Sequence, residues 1–371
     1  MTYKRNKEDQ RQLELSLPGK LCTSDSEWIE PLPEEYETAQ IQTMRQFVCA
    51  KEEERSKYSN SVTFWDAVPK HVSRKDMERL RDGNGRLPVL TRRFMHQGKF
   101  WQVSIRGAAM TRPDGRILDC YPTSREALVE DALRKLATQS NQGYCGRDTI
   151  PSGRSGVRFS IKEIRRLLEE RGRYLEHGDI VEAMAVMQTA VLSIVAEDGT
   201  KGVRTHILGD IYLVPNEQGR RQFERRWVVD FNNLVTRELM AGCYRQYHFD
   251  AMMRCPTQLA RWLYLYCVRA WLNASPSQAM RIRLLEIQRD SGLLGFARLR
   301  MADDKLARTL RELEREGVLK VLARDESRGA RNALLDTQYL LAASREFSQQ
   351  AIWANQRARH VRRALGVEGD E

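Results

Sequence analysis

No Cys-x-x-Cys pair occurs in this chain of 371 residues; its seven cysteines stand apart at positions 22, 49, 120, 145, 243, 255 and 267. That scatter excludes a zinc ribbon and a compact disulfide framework, and suits reduced thiols in a cytoplasmic protein. A Gly-x-x-x-x-Gly-Lys-Ser/Thr loop is also missing, which argues against a P-loop ATPase. The six histidines, at 71, 96, 177, 206, 248 and 360, make neither a His-Glu-x-x-His helix nor the paired histidines of a rolling-circle nicking enzyme. No apolar run reaches membrane-spanning length, and the opening MTYKRNKEDQ is too polar for a signal peptide. The expectation is a cytoplasmic protein with no membrane segment, metal, cofactor or catalytic centre. Tyr244, Tyr247 and His248 cluster in one stretch that suggests a nicking tyrosine; packing between domains is the simpler reading.

What the chain does have is basic charge. Lys and Arg number 61 against 50 Asp and Glu, a formal net charge of +11. A positive surface attracts polyanions through phosphate contacts and counterion release. The excess is moderate, so it agrees with nucleic-acid binding without requiring it. The length leaves room for two or three domains, each able to bury its own core.

Residues 1–60 read as a polar leader, disordered at first and then helical over 34–57. Residues 61–250 read as one domain. It contains a strand pair over 89–105, a helix from Ser124, a glycine-rich loop over 143–156 and a short strand at 157–159. Ser160 then caps a helix ending at Gly172, and a second helix runs over 179–193. Strands at 191–196, 207–214 and 227–231 read as its wing. A helix at 232–240 and an aromatic strand at 244–249 lead to residues 251–343, which begin with an apolar helix at 257–272. A basic helix and an acidic tip fill 344–371.

The most informative stretch is MRIRLLEIQRDSGLLGFARLRMADDKLARTLRELEREGVLKVLAR, residues 280–324. It reads as strand, helix, glycine break, second helix and strand, the order of a helix-turn-helix with a trailing wing. In the second helix Leu306, Leu310 and Leu313 share one stripe. Lys305, Arg308, Arg311 and Arg315 share the opposite one, with Thr309 beside them. Asp303 and Asp304 suit the positive end of the helix dipole, and Gly317 stops the helix. A surface helix with solvated charges is the bland alternative for this segment alone.

The pattern of helix, strand, helix, recognition helix and wing occurs twice, over about 124–232 and 257–342. The fold class expected is α+β: two tandem winged-helix domains with a disordered N-terminal leader and a C-terminal helix. Two such units in this order resemble the replication initiators of theta-replicating plasmids, the Rep/TrfA type. The likeness is carried by FSIKEIRRLLEERGRYLEHGDIVEAMAVMQTAVLSI with ILGDIYLVP and RRWVVDFNNLV, and by CPTQLARWLYLYCVRAWLN through LARTLRELEREGVLKV.

The resemblance implies binding to directly repeated double-stranded sites (iterons) at a plasmid origin, local opening, and recruitment of the host replicative helicase. It also implies that the second unit carries the main base contacts, while the first touches DNA or forms a homodimer. Candidate DNA-binding residues are Arg298, Arg300, Lys305, Arg308, Arg311 and Arg315 on the second recognition helix, and Arg324, Arg328 and Arg331 in the wing. The first recognition helix is almost devoid of Lys and Arg, a departure that weighs against base reading. Lys162, Arg165, Arg166, Arg173, Lys201 and Arg204 around it are candidates for phosphates. Gln12, Leu13, Leu15 and Leu17, in Gln12-Leu-Glu-Leu-Ser-Leu17, resemble the short peptide by which bacterial proteins bind the sliding clamp. A transcriptional repressor built from the same parts is the alternative, and a nickase or recombinase the enzyme-class competitor.

Overall fold

The structure, a computed structural model, describes residues 52–139, 143–145, 155–213 and 226–364. The clamp-like peptide Gln12, Leu13, Leu15 and Leu17 and the segments 1–51 and 365–371 lie outside the described residues. The elements in chain order are α1 (Glu52–Lys57), β1 (Tyr58–Val62), α2 (Arg74–Leu80), β2 (Leu90–His96), β3 (Lys99–Arg106), β4 (Ala108–Thr111) and β5 (Ile117–Cys120). Then come α3 (Ser124–Gln139), β6 (Gly143–Cys145), β7 (Ser155–Ser160), α4 (Ile161–Glu169), α5 (His177–Thr189), β8 (Val191–Ala196), β9 (Gly202–Thr205), β10 (Leu208–Leu213), β11 (Arg226–Phe231) and α6 (Asn233–Met240). The chain continues with β12 (Tyr244–His248), α7 (Phe249–Arg254), α8 (Gln258–Ala270), β13 (Met280–Arg283), α9 (Leu284–Ser291), α10 (Leu299–Arg315), β14 (Leu319–Arg328), β15 (Leu334–Ala343) and α11 (Arg345–Ala364).

Two winged-helix units stand in tandem. In the second, α9 and α10 pack on the antiparallel sheet β13-β15-β14, and α8 packs on α10. In the first, α3, α4 and α5 take the same places, and the strand order β7-β11-β10 repeats it, with β6 added at the edge. Several helices start where a small polar side chain meets a free backbone N–H. Ser160 and Glu163 form a reciprocal capping box on α4, and Thr257 accepts from Ala260 N on α8.

The expected wing of the first unit needs one correction. The strand at 191–196, β8, does not join it. It pairs instead with β3, completing a separate sheet β2-β3-β8-β9. Ile194 and Leu192 face Val103 and Ile105 across that pair, all fully buried, so the apolar alternation is satisfied by the N-terminal hairpin. The β4–β5 hairpin, α2 and α7 had no expectation in the sequence.

A ribbon of β1 and β12 lies between the units and packs against α3, α8 and α11. Tyr244 and Tyr247 are buried in it, with Tyr247 edge-on to Tyr264 of α8. A buried charge cluster seats the chain before α2 onto α3. Asp66 accepts from Arg134 at 2.7 and 2.9 Å, and Glu130 accepts from the Trp65 indole at 2.8 Å. Burial alone would raise the Asp66 pKa; Arg134 and Lys70 overcome it and hold the carboxyl below its usual range. Lys135, fully buried, donates to the carbonyls of Arg55, Ser56 and Tyr58, where α1 leaves its last carbonyls open.

Candidate nucleic-acid interface

α10 owes its place to a leucine face. Leu306, Leu310 and Leu313, with Ala302, are buried against the second unit's core. Thr309 belongs to this face, contrary to the expectation that it lies beside the cations. It is fully buried and its hydroxyl donates to Lys305 O at 2.9 Å. Gly317, at φ +67°, stops the helix, with Val318 N donating to Leu313 O at 3.0 Å.

The acidic side chains of α10 turn toward the protein. Asp303 is buried and accepts from the Tyr339 hydroxyl at 2.6 Å and from Arg324. Glu312 accepts from Thr257 Oγ1 at 2.9 Å, Glu314 from Val321 N at 2.7 Å, and Glu316, just past the helix, from Arg254 at 2.9 Å. Only Asp304 remains on the outer face.

The cations turn outward. Arg298, Arg300, Arg308, Arg311 and Arg315 are exposed and Lys305 is half-buried. None of them forms an ion pair among the described residues. Arg308 and Arg315 only curl back onto the carbonyls of Asp304 and Arg311, at 3.2 and 3.4 Å. A merely solvated helix behaves differently, as α4 shows: there Arg165 pairs with Glu169 at 3.1 Å and Arg166 with Glu170 at 3.9 Å. The outer stripe of α10 also holds Met301, 50% exposed. Residues 301, 304, 308, 311 and 315 follow at alternating steps of three and four, so Met301 and Asp304 belong to the surface expected from the sequence to hold the cations with Thr309.

The turn before α10 is locked from outside. Gly292 ends α9 at φ +61°, and Arg92 of β2 donates to its carbonyl at 2.8 Å, as well as to Pro69 O and His71 O at 3.0 and 2.8 Å. Burial draws the Arg92 pKa down to about 10. A side chain at Gly292 would meet that guanidinium at 2.6 Å. Met95 N donates to Asp290 Oδ1 at 2.9 Å beside it.

The wing places its arginines differently from the loop expected. Arg324 lies within β14, and its guanidinium bonds Asp303, Tyr339 and Glu326, tying the wing to the helix. Arg328 ends the strand, bonded to Glu326 and to the carbonyl of Asn332. Arg331 sits exposed at the tip, at φ +56°.

In the first unit, no residue of α5 is exposed. One side faces the unit's own core. The other is covered by the β4–β5 hairpin, where Ala108, Met110 and Cys120 pack on Ala185, Val186 and Ala190. Glu182 of α5 binds Arg112 at 3.0 Å and Arg125 at 3.4 Å. The scarcity of Lys and Arg on this helix therefore reflects its burial. Of the residues expected to hold phosphates nearby, Lys162, Arg165, Arg166, Lys201 and Arg204 are exposed. Lys201 and Arg204 belong to the β8–β9 hairpin, not to the wing. Arg173 does not join them: it donates to the carbonyls of Met253, Cys255 and Pro256, closing the end of α7.

Several solved structures resemble the chain. A crystal structure of domains 2 and 3 of RctB has 14% identity and covers 76% of this chain and 98% of that one, with a TM-score of 0.43. A second structure of RctB domains 2–3 covers 74% and 97%, at 14% identity and 0.38. The Pi initiator protein, crystallised with iteron DNA, covers 51% of this chain and 81% of its own, at 10% identity and 0.35. No protein-family model and no curated protein matches. Among the described residues, no helix is long and apolar enough to cross a membrane, and no group of three His, Cys, Asp or Glu could hold a metal ion.

Proposed function

We propose that the protein binds duplex DNA through its second winged-helix unit, with α10 in the major groove, and acts as a replication initiator at directly repeated sites of a plasmid origin. The segregation of charge on α10 carries the proposal: its acids other than Asp304 are engaged inward, and its cations form no ion pair among the described residues. A major groove admits one helix, and an arginine fork meets guanine O6 and N7 together. Arg298, Arg300, Lys305, Arg308, Arg311 and Arg315 supply these contacts, and Arg331 follows the backbone from the wing tip. The first unit contributes phosphate contacts from Lys162, Lys201 and Arg204, without reading bases through α5.

The initiator part of the proposal rests on the tandem order of units. Origin opening, recruitment of the host helicase and sliding clamp, dimerisation and a cytoplasmic location belong to it. The test is binding, at several salt concentrations, to DNA selected by the protein from a random pool. Direct repeats about two helical turns long and a steep fall of affinity with salt are expected, with Arg308→Ala and Arg311→Ala each costing about 1–3 kcal/mol. Selection of palindromes would favour a repressor instead, and unchanged affinity in both variants would remove α10 from the groove.

A further inference from the structure

A cavity of about 560 Å³ opens where the β2–β3 turn, the start of β12, α8, α9 and α11 meet. Its size is that of a small-molecule pocket. On the α8 side stand Trp262 and Tyr266, one helical turn apart, with rings stacked 5.2 Å apart and 21° from parallel. The Trp262 indole N–H is buried and has no hydrogen-bond partner among the described residues.

Arg269 follows on the same helix and lines the same cavity. Its guanidinium donates to Ser61 Oγ at 3.2 Å and forms no ion pair among the described residues. Of the acids whose fields reach it, Asp66 is already held by Arg134 at 2.7 Å and Lys70 at 3.5 Å, and Glu238 accepts from the backbone N–H groups of Phe64 and Trp65. Arg245 and Arg289 add two cations to the lining, and Glu286 and Asp290 two carboxylates. Asp290 is bonded to Arg289 at 2.6 Å, whereas Glu286, within the field of Arg289, forms no ion pair among the described residues. The cavity thus combines an aromatic platform, a half-buried cation with no ion pair among the described residues, and a separate carboxylate.

We propose that this cavity binds a nucleotide, its base stacked on the Trp262–Tyr266 pair, its phosphate at Arg269, and Glu286 accepting from an exocyclic amine. A base carrying a phosphate uses all three features; a simple anion ignores the rings, and a neutral aromatic leaves Arg269 uncompensated. The source is either a free nucleotide or a nucleotide of a single DNA strand. A bound nucleotide touches the β2–β3 turn and the α8–α9 pair at once, and so bridges the two halves of the molecule. The site is independent of α10 and does not depend on the proposed duplex binding.

The experiment uses the full chain with AMP, ATP, a short deoxyadenosine oligonucleotide and inorganic triphosphate, followed by calorimetry and tryptophan fluorescence. Saturable binding of a mononucleotide or of the oligonucleotide is expected, weakened at least tenfold by Arg269→Gln and by Trp262→Leu. Mononucleotide binding identifies a free ligand, and binding by the oligonucleotide alone identifies a strand. Glu286→Gln should lower the preference for adenine over thymine bases. Because the buried variants can disturb folding, an azido-adenine nucleotide is also photolysed on the unaltered chain, where label is expected in residues 258–270. No binding by either ligand, triphosphate binding as tight as ATP, binding unchanged in both variants, or label only elsewhere would overturn the proposal.

Discussion

Replacing Asp303 with Ala removes the side chain that joins the second turn of α10 to both strands of the wing. The hydrogen bond from the buried Tyr339 hydroxyl to this carboxylate, 2.6 Å long, is of the charge-assisted kind and is worth about 1.5–3 kcal/mol. Arg324 is partly exposed and has Glu326 as a second partner at 2.8 Å, so its loss adds no more than about 1 kcal/mol. The variant should therefore be destabilised by about 1.5–4 kcal/mol. Tyr339→Phe removes one hydroxyl and leaves Asp303 bonded to Arg324, at a cost of about 1–3 kcal/mol. The two changes share one bond, so the double variant should fall short of their sum by at least about 1 kcal/mol in urea unfolding. Both should also weaken DNA binding although neither residue faces the groove, because wing and helix lose their common anchor. Additivity to within about 0.5 kcal/mol would refute the reasoning.

Gly292→Ala forces a left-handed backbone on a residue with a side chain, at about 1–2 kcal/mol, and displaces Arg92 from the turn; a melting temperature equal to the parent's would contradict this. Burial raises the Glu238 carboxyl to about 7, against backbone N–H groups of Phe64 and Trp65 that lower it. The folded state then holds a proton that the unfolded chain has released, so this contribution to stability is present below about pH 4.5 and lost as pH rises through about 7. Glu238→Gln, which can still accept from both N–H groups, should flatten that decline and gain up to about 3 kcal/mol at pH 8; an unchanged pH profile would show otherwise. Leu15→Ala with Leu17→Ala should leave DNA binding intact and abolish pull-down by the bacterial sliding clamp, and equal pull-down would discard that peptide.

The second winged unit was legible almost entirely, because Leu306, Leu310 and Leu313 set the helical period and Gly292 and Gly317 mark its limits. The first was legible in its helices and misread in its wing. Val191–Ala196 alternates like any half-buried strand, and alternation does not say which partner covers it; the β2–β3 hairpin, some ninety residues earlier, is that partner. The β4–β5 hairpin left no expectation at all, being two four-residue strands around Pro113-Asp114-Gly115. Its effect on α5 was visible only as a helix poor in charge. Arg173 and Arg324 show the limit of reading cations as phosphate ligands. Both sit among basic neighbours in the sequence, and both prove to be bonded within the fold, one to helix-end carbonyls and the other to a buried carboxylate.

Site-specific crosslinking from the two recognition helices tests the central claim most directly. A photoreactive group placed at residue 308 of α10, and in a separate variant at residue 188 of α5, is irradiated in complex with the selected duplex. Crosslinks to bases from residue 308 and none from residue 188 are the predicted result. Base crosslinks from residue 188, or their absence from residue 308 in a complex of full affinity, would contradict it.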